Sequence, residues 1–284
     1  MKYKLYQGDC LDRLKQIDRV TCIFADPPDN IGLGYDEYED RKADAEYEQL
    51  MFKWVAAFVE KADIVWLSFN AKWTATVGVI VRSMIGDHNP FELEFKPCVQ
   101  VFTFGQHNKN DLGNNHRPLW RLRKQKAKLY PDAIKVLSWR QRNGDKRAAA
   151  GGRVPGDVFD MQYPRRPCPN DTDGDGDCGK PACPHCGIQS GDVFDFPRVT
   201  GNSAQRCDWH PTQLHEELVE RCIKLSTTDG DTVLDPFGGT GTTLRVCERL
   251  ERNCTLIELD EGYCARIKKA HGLKNLRTPG GYGK

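Results

Sequence analysis

Val20-Thr21-Cys22-Ile23-Phe24-Ala25 is a short, partly β-branched apolar run that stops at Asp26-Pro27-Pro28, where two prolines remove backbone donors and end any ladder or helix. This predicts a buried strand leading into a stiff loop. Residues 47–62 follow with Leu50, Met51, Trp54, Val55, Phe58 and Val59 at helical spacing, and 63–69 read as a second buried strand through Ile64, Val65, Trp66 and Leu67. Strand, helix, strand requires a crossover and therefore a parallel sheet with helices packed on it. The spacing continues with a helix over Thr74–Ile85 and a strand over 98–104. After Arg198 it returns with a helix over 213–226, a strand over Thr232–Asp235, a helix over 242–250 and a strand over 254–258.

Between these two halves, from 105 to 192, periodicity gives way to charge, glycine, proline and cysteine. The expected organisation is one α/β sheet domain made of 1–104 and 193–284, interrupted by an inserted module over 105–192. Net charge over the 284 residues is close to zero, with 41 Lys and Arg against 40 Asp and Glu. The average hides an asymmetry, because 116–153 carries twelve basic residues and only two acids, Asp132 and Asp145. Trp120, Tyr130 and Trp139 are interleaved with them, the mixture that phosphate contacts and base stacking need. Arg117, Arg121, Arg123, Lys124, Arg140, Arg142, Lys146 and Arg147 are therefore the candidate phosphate-binding residues, against the plainer alternative of a solvated charged face.

No apolar run reaches the roughly 18–20 residues that span a bilayer, and the N-terminal residues lack the apolar core of a signal peptide. A cytoplasmic location with no membrane partner is expected. There, thiols stay reduced, so clustered cysteines read as metal ligands. Cys168, Cys178, Cys183 and Cys186 are spaced C-x9-C-x4-C-x2-C, and Cys183-Pro184-His185-Cys186-Gly187 resembles a zinc knuckle. One structural zinc ion is expected, stapling a module with few apolar residues of its own; unligated thiols are the alternative.

Asp235-Pro236-Phe237-Gly238-Gly239-Thr240-Gly241-Thr242-Thr243 follows a strand and opens a helix, so main-chain N–H groups face any ligand above the strand end. Glu258 closes the next strand 20 residues after Gly238, where an α/β nucleoside site places the carboxylate that accepts the ribose hydroxyls. No Gly-Lys-Ser/Thr follows, which excludes a P-loop, and an Asp in the turn suits a cationic ligand better than a pyrophosphate. S-adenosylmethionine has that polarity.

Asp26-Pro27-Pro28-Asp29-Asn30 places a carboxylate beside the Pro27 carbonyl, two acceptors that match the two hydrogens of an exocyclic amino group. Accepting both draws the conjugated nitrogen toward a tetrahedral geometry with a free lone pair, which permits in-line attack on a sulfonium methyl. With these motifs the chain resembles the β-class S-adenosylmethionine-dependent DNA amino-methyltransferases of the adenine-N6 or cytosine-N4 type, in which the Asp-Pro-Pro motif precedes the cofactor motif. The resemblance covers nearly everything outside the middle region. It also takes in Gly8-Asp9-Cys10, Trp66-Leu67-Ser68-Phe69-Asn70, His210-Pro211-Thr212-Gln213 and Ile257-Glu258-Leu259-Asp260-Glu261-Gly262-Tyr263.

What the resemblance implies is a Rossmann-like class I methyltransferase acting on DNA, adenine N6 ahead of cytosine N4, of the kind found in restriction-modification, and it leaves a homodimer open. Asp26, Pro27, Pro28, Asp29 and Asn30 would form the catalytic loop. Asp9, Cys10, Thr212, Gln213, Asp235, Phe237, Gly238, Gly239, Thr240, Gly241 and Glu258 would hold the cofactor. Two departures stand out: Asp29 occupies the place of an aromatic residue that stacks on the flipped base, and Leu214-His215 replaces Lys-Pro. Asp29 is either a tolerated substitution or a change in the base accepted, with Tyr35, Phe69 or Trp73 supplying the stacking face. The rival readings are a protein-glutamine or RNA amino-methyltransferase, and a nucleic-acid-binding zinc module on a methyltransferase fold that has lost catalysis.

Overall fold

The structure is a computed structural model that describes residues 1–86, 89–101, 110, 116–135, 146–147, 151–154, 158–160, 199 and 205–271. Its elements are β1 (Tyr3–Gln7), α1 (Cys10–Leu14), β2 (Val20–Ala25), α2 (Asp44–Lys61), β3 (Ala62–Ser68), α3 (Thr74–Ile85), β4 (Leu93–Lys96), β5 (Val99–Val101), β6 (His116–Lys124), β7 (Val158–Asp160), α4 (Glu216–Ser226), β8 (Thr232–Asp235), α5 (Thr242–Arg249), β9 (Asn253–Glu258) and α6 (Glu261–Ala270). The strands form one sheet in the order β1-β9-β8-β2-β3-β6-β5-β7, with β4 also paired to β6. From β1 to β3 all neighbours are parallel. β6 then runs antiparallel to β3, β4 and β5.

Because side chains alternate along a strand, the sheet feeds two cores. Ile23, Ala25, Val65, Leu67, Leu234 and Ile257 face α1, α2 and α3, where Met51, Val55, Phe58 and Val77 are buried. Cys22, Phe24, Ile64, Trp66, Val233 and Leu256 face α4, α5 and α6, where Val219, Cys222, Val246 and Ile267 are buried. This is a three-layer α/β sandwich. Strand β2 is covered on both faces, with Ile23 and Ala25 in one core and Cys22 and Phe24 in the other, as the continuous apolar strand predicts. Among the described residues, no helix is long and apolar enough to cross a membrane.

One expectation is corrected here. The boundary at 104/105 does not hold, because β6 lies inside the sheet with Leu67 opposite Trp120 and Ile64 opposite Arg123. Leu119, Trp120 and Leu122 are buried in it. The strand escaped the sequence reading because three of the four alternate positions, Arg117, Arg121 and Arg123 beside Leu119, are arginines, so its period of two reads as a charge run. Beyond it, Leu129 and Ile134 pack on the α4 side, and the Tyr130 N–H donates to the Leu225 carbonyl at 2.8 Å. Cys168, Cys178, Cys183 and Cys186 lie outside the described residues, as do Arg140 and Arg142.

Candidate active site

Five parallel strands end at one rim, and their C-terminal residues deliver the predicted chemistry: Asp9 after β1, Asp26 after β2, Asn70 after β3, Asp235 at the end of β8 and Glu258 at the end of β9. Ligands of open α/β sheets bind at such a rim. A cavity of about 450 Å³ opens there, and among the described residues eight carboxylates line it against a single guanidinium: Asp9, Asp26, Asp29, Asp36, Glu37, Asp235, Glu258 and Asp260, with Arg117. An anion would be repelled from such a lining; a cation is favoured.

The wall expected to hold the cofactor is built by the turn after β8. Asp235 Oδ1 accepts the Phe237 N–H at 2.9 Å and Oδ2 the Thr243 hydroxyl at 2.6 Å, so this carboxylate pins the turn to α5. Burial pushes its pKa up to about 6. Gly238 is needed for close approach, since a Cβ there would meet the Ile257 carbonyl at 3.3 Å. Gly241, at φ 76, is the left-handed N-cap of α5 and faces Ile267 and His271, away from the cavity. Glu258 is 9% exposed. Its Oε2 accepts the Gly239 N–H at 2.6 Å and its Oε1 the Asp260 N–H at 2.9 Å. Burial pushes its pKa up to about 7. Each oxygen keeps a lone pair for a hydroxyl donor.

Asp9 caps α1 through Oδ1, which accepts the Leu11 N–H at 2.9 Å, and Cys10 is a buried thiol in the floor. Phe237 packs edge-on against Trp54, with centroids 5.1 Å apart. Thr212 meets the Tyr35 hydroxyl at 3.4 Å. Gln213 lines the cavity, but its amide is committed to the Gln205 carbonyl at 2.6 Å and the Cys207 N–H at 3.0 Å, which makes it a brace for the 205–213 loop. Buried acceptors, a glycine cradle and an acidic lining together fit a ligand with a ribose and a positively charged centre.

Opposite this wall stands the Asp-Pro-Pro loop. Asp40, 3% exposed, accepts the N–H groups of Asn30, Ile31, Gly32 and Leu33 at 2.7–3.1 Å and fixes how the chain leaves it. Asn30, expected at the site, turns away to bond both backbone groups of Lys42. The Pro28 carbonyl accepts the Tyr47 hydroxyl at 2.5 Å, and the Asp29 carbonyl the Trp73 indole N–H at 2.8 Å. Of the three candidate stacking rings, Tyr35 lines the cavity, whereas Phe69 and Trp73 are buried in the core beneath it.

Arg117 is the residue that sequence reasoning misassigned. Expected on DNA phosphate, it reaches instead from β6 into this loop. Its Nη2 donates to Asp26 Oδ1 at 2.7 Å and to Asp29 Oδ1 at 2.9 Å, its Nη1 to Asp29 Oδ2 at 2.8 Å, and its Nε to Ser68 Oγ at 2.7 Å. The two aspartates hold its pKa above the ordinary value despite burial. Arg121 lies over the Trp66 ring and Arg123 pairs with Glu94 across β4, while Lys124 approaches Asp63, so these three also serve the sheet. Lys146 and Arg147 are exposed. Tyr38 and Trp54 are further lining residues that the sequence reading missed, Trp54 because an aromatic at helical spacing reads as core, whereas Tyr263 closes a motif the resemblance already included.

A sequence pattern of the N6/N4 methylases, described as DNA methylase, matches residues 20–269. The chain belongs to this family of DNA methylases. It is 29% identical to the type II methyltransferase M.BamHI of Bacillus amyloliquefaciens, over 96% of this chain and 57% of that protein. It is 28% identical to M.BglII of Bacillus subtilis, over 92% and 66%, so it spans between half and two thirds of the length of these two relatives. With the DNA adenine methyltransferase YhdJ of Escherichia coli it shares 29% identity over 98% of this chain and 84% of that protein. Among solved structures, the cytosine-N4-specific PvuII DNA methyltransferase superposes with a TM-score of 0.62 at 15% identity, covering 94% of this chain and 85% of that one. TTHA0409 of Thermus thermophilus, in complex with S-adenosyl-L-methionine, gives 0.55 at 15% identity over 98% and 96%. These superpositions establish the methyltransferase fold.

Proposed function

We propose that this methylase transfers a methyl group from S-adenosylmethionine to the exocyclic amino group of a base in DNA, adenine N6 ahead of cytosine N4. The observation that carries the reading is the adjacency of β8 and β2, which sets the glycine turn and the Asp26 loop on opposite walls of one acid-lined cavity. When bound, the cofactor supplies an electrophilic methyl group. Asp9 and Glu258 receive its adenosine hydrogen-bond donors, and the carboxylates favour its positive charge. Asp26 keeps Oδ2 for one amino hydrogen while Oδ1 is held by Arg117, and the Pro27 carbonyl takes the other. The nitrogen lone pair is thereby released from conjugation and the developing ammonium faces a carboxylate, which receives the proton. Tyr35 offers the ring on which an extruded base stacks.

DNA recognition falls to the region from 105 to 192 outside β6, through Arg140, Arg142, Lys146 and Arg147, with Cys168, Cys178, Cys183 and Cys186 holding one zinc ion; the spacing of the cysteines and the charge run support this. The test is incubation with methyl-labelled S-adenosylmethionine and unmodified genomic DNA, followed by mass spectrometry of the nucleosides. Labelled N6-methyladenine is the expected product; label only in N4-methylcytosine reverses the order of the bases, and no label in either overturns the reading.

A further inference from the structure

We propose that Arg117 is a positioning residue of the methyl-transfer site, one that keeps Asp26 charged and aimed at the target amino group in the presence of the second carboxylate, Asp29. The proposal rests on the reading of Asp26 as the amino-hydrogen acceptor. Two carboxylate oxygens, one from each aspartate, lie within hydrogen-bond length of the same Arg117 nitrogen, and the side chains of Asp26 and Asp29 are only 27% and 10% exposed. Like charges this close in a sheltered site resist simultaneous ionisation. A proton shared between them would turn Asp26 from an acceptor into a donor, the wrong polarity for an amino group. The guanidinium removes that conflict and leaves the cluster with one net negative charge.

The same contacts set direction. Asp29 grips Arg117 through both oxygens and Ser68 anchors its Nε, so the planar fork is fixed before it meets Asp26. Asp29 is thus neither an inert substitution nor a surface for the base; it is the counter-grip that orients Arg117. The other described groups facing the pair do not replace the guanidinium. Asp235 on β8 adds negative charge. The hydroxyls of Tyr35 and of Tyr47 on α2 are held in their neutral form by burial. His210, on the loop before α4, is pushed toward its neutral form by burial, and His116 on β6 is exposed at the cavity rim.

The test is a carbon-13 NMR titration of the aspartate carboxyl carbons in the full chain without cofactor, with Asp26→Asn for assignment, alongside pH profiles of DNA methylation. In Arg117→Met the midpoint of the aspartate pair rises by at least about one pH unit, and the acid limb of the rate profile moves with it. Asp29→Asn together with Arg117→Met returns Asp26 to within about half a pH unit of the parent, because the like charge is gone. Arg117→Lys keeps the acid limb but loses at least about tenfold in kcat, since an ammonium cannot span both carboxylates and Ser68. Parent-like S-adenosylmethionine affinity certifies that each variant is folded. An unchanged titration in Arg117→Met, or a double variant as perturbed as the single one, overturns the proposal. Methylation surviving in Asp26→Ala overturns instead the reading of Asp26, and the titration still judges the charge-keeping role of Arg117.

Discussion

At the scale of single residues, the proposed function divides the labour between Asp26 and Glu258, and each has its own signature. On that proposal, Asp26→Ala removes the group that faces the target base and not the one that faces the ribose. Methyl transfer is expected to fall at least about a thousandfold, in line with loss of a preorganised electrostatic contact, while calorimetry finds S-adenosylmethionine binding nearly intact. Collapse of both would move Asp26 to the cofactor side. Glu258 has a pKa pushed up to about 7 by burial. The sign follows from linkage: a carboxyl whose folded pKa is raised stabilises the fold below its ordinary value, and that contribution is lost as pH rises through about 7. Ribose hydroxyls donate to the ionised form, so cofactor affinity runs the other way. It should tighten at least about threefold between roughly pH 6 and pH 8, with proton release. Glu258→Gln should abolish that dependence; a pH slope that survives it belongs to another group.

At the scale of elements, the site is held by its loops more than by its strands. Asp40 alone satisfies four N–H groups of the loop after β2. Asp40→Ala strands the N–H groups of Asn30, Ile31 and Leu33, Gly32 keeping its bond to the backbone carbonyl at position 40, and is expected to cost at least about 1 kcal/mol of stability, read as a lower midpoint in urea, with methylation lost more completely than cofactor binding. On the other wall, Arg245 of α5 links Glu216 at 2.6 Å to the Thr240 carbonyl at 2.8 Å, bracing the glycine turn against α4. Burial alone raises the Glu216 carboxyl, yet hydrogen bonds from Arg245 and Arg249 leave it below its usual value. Its stabilisation is present at neutral pH and lost as pH falls through that lowered pKa. Gly238→Ala presses a methyl group against the Ile257 carbonyl. The turn then moves off the strand, and cofactor affinity is expected to drop at least about tenfold with little change in the unfolding midpoint. An unaffected dissociation constant would show that the turn does not approach the ligand.

Across the whole molecule, opposite charges are segregated by task. Among the described residues the cavity collects eight carboxylates, while the sequence from 116 to 153 collects twelve basic residues. Part of that basic run is spent inside the sheet on Asp26, Asp29 and Glu94. DNA affinity should therefore fall with salt with a slope set by the remaining lysines and arginines. Arg140→Ala with Arg142→Ala should reduce that slope by about two phosphates, whereas Arg121→Ala should leave the slope alone and lower stability. Cys183→Ser with Cys186→Ser is expected to remove one zinc ion per chain and weaken DNA binding while cofactor affinity survives. Zinc-free parent protein that methylates DNA normally would leave the four cysteines as ordinary thiols.

Local order alone fixed much of the succession of elements in the two halves that flank 105–192, and the loops that carry chemistry. Apolar runs of period two or 3.6 reproduce β2, α3, β8 and α5 within a residue or so, because burial of one face is written into consecutive side chains. The prolines after Ala25 and the glycines after Asp235 mark their turns for the same reason: φ and donor restrictions act within the residue itself. Strand partners are different. That His116–Lys124 pairs with Ala62–Ser68 depends on contacts across some fifty residues, and β6 hid its period behind arginines whose charges are neutralised only when the chain closes. Asp29 looked like a lost aromatic until Arg117 arrived from 88 positions away to occupy it. A charged side chain's meaning is set by its counter-charge, and long-range Coulombic partners are brought together only by the tertiary fold.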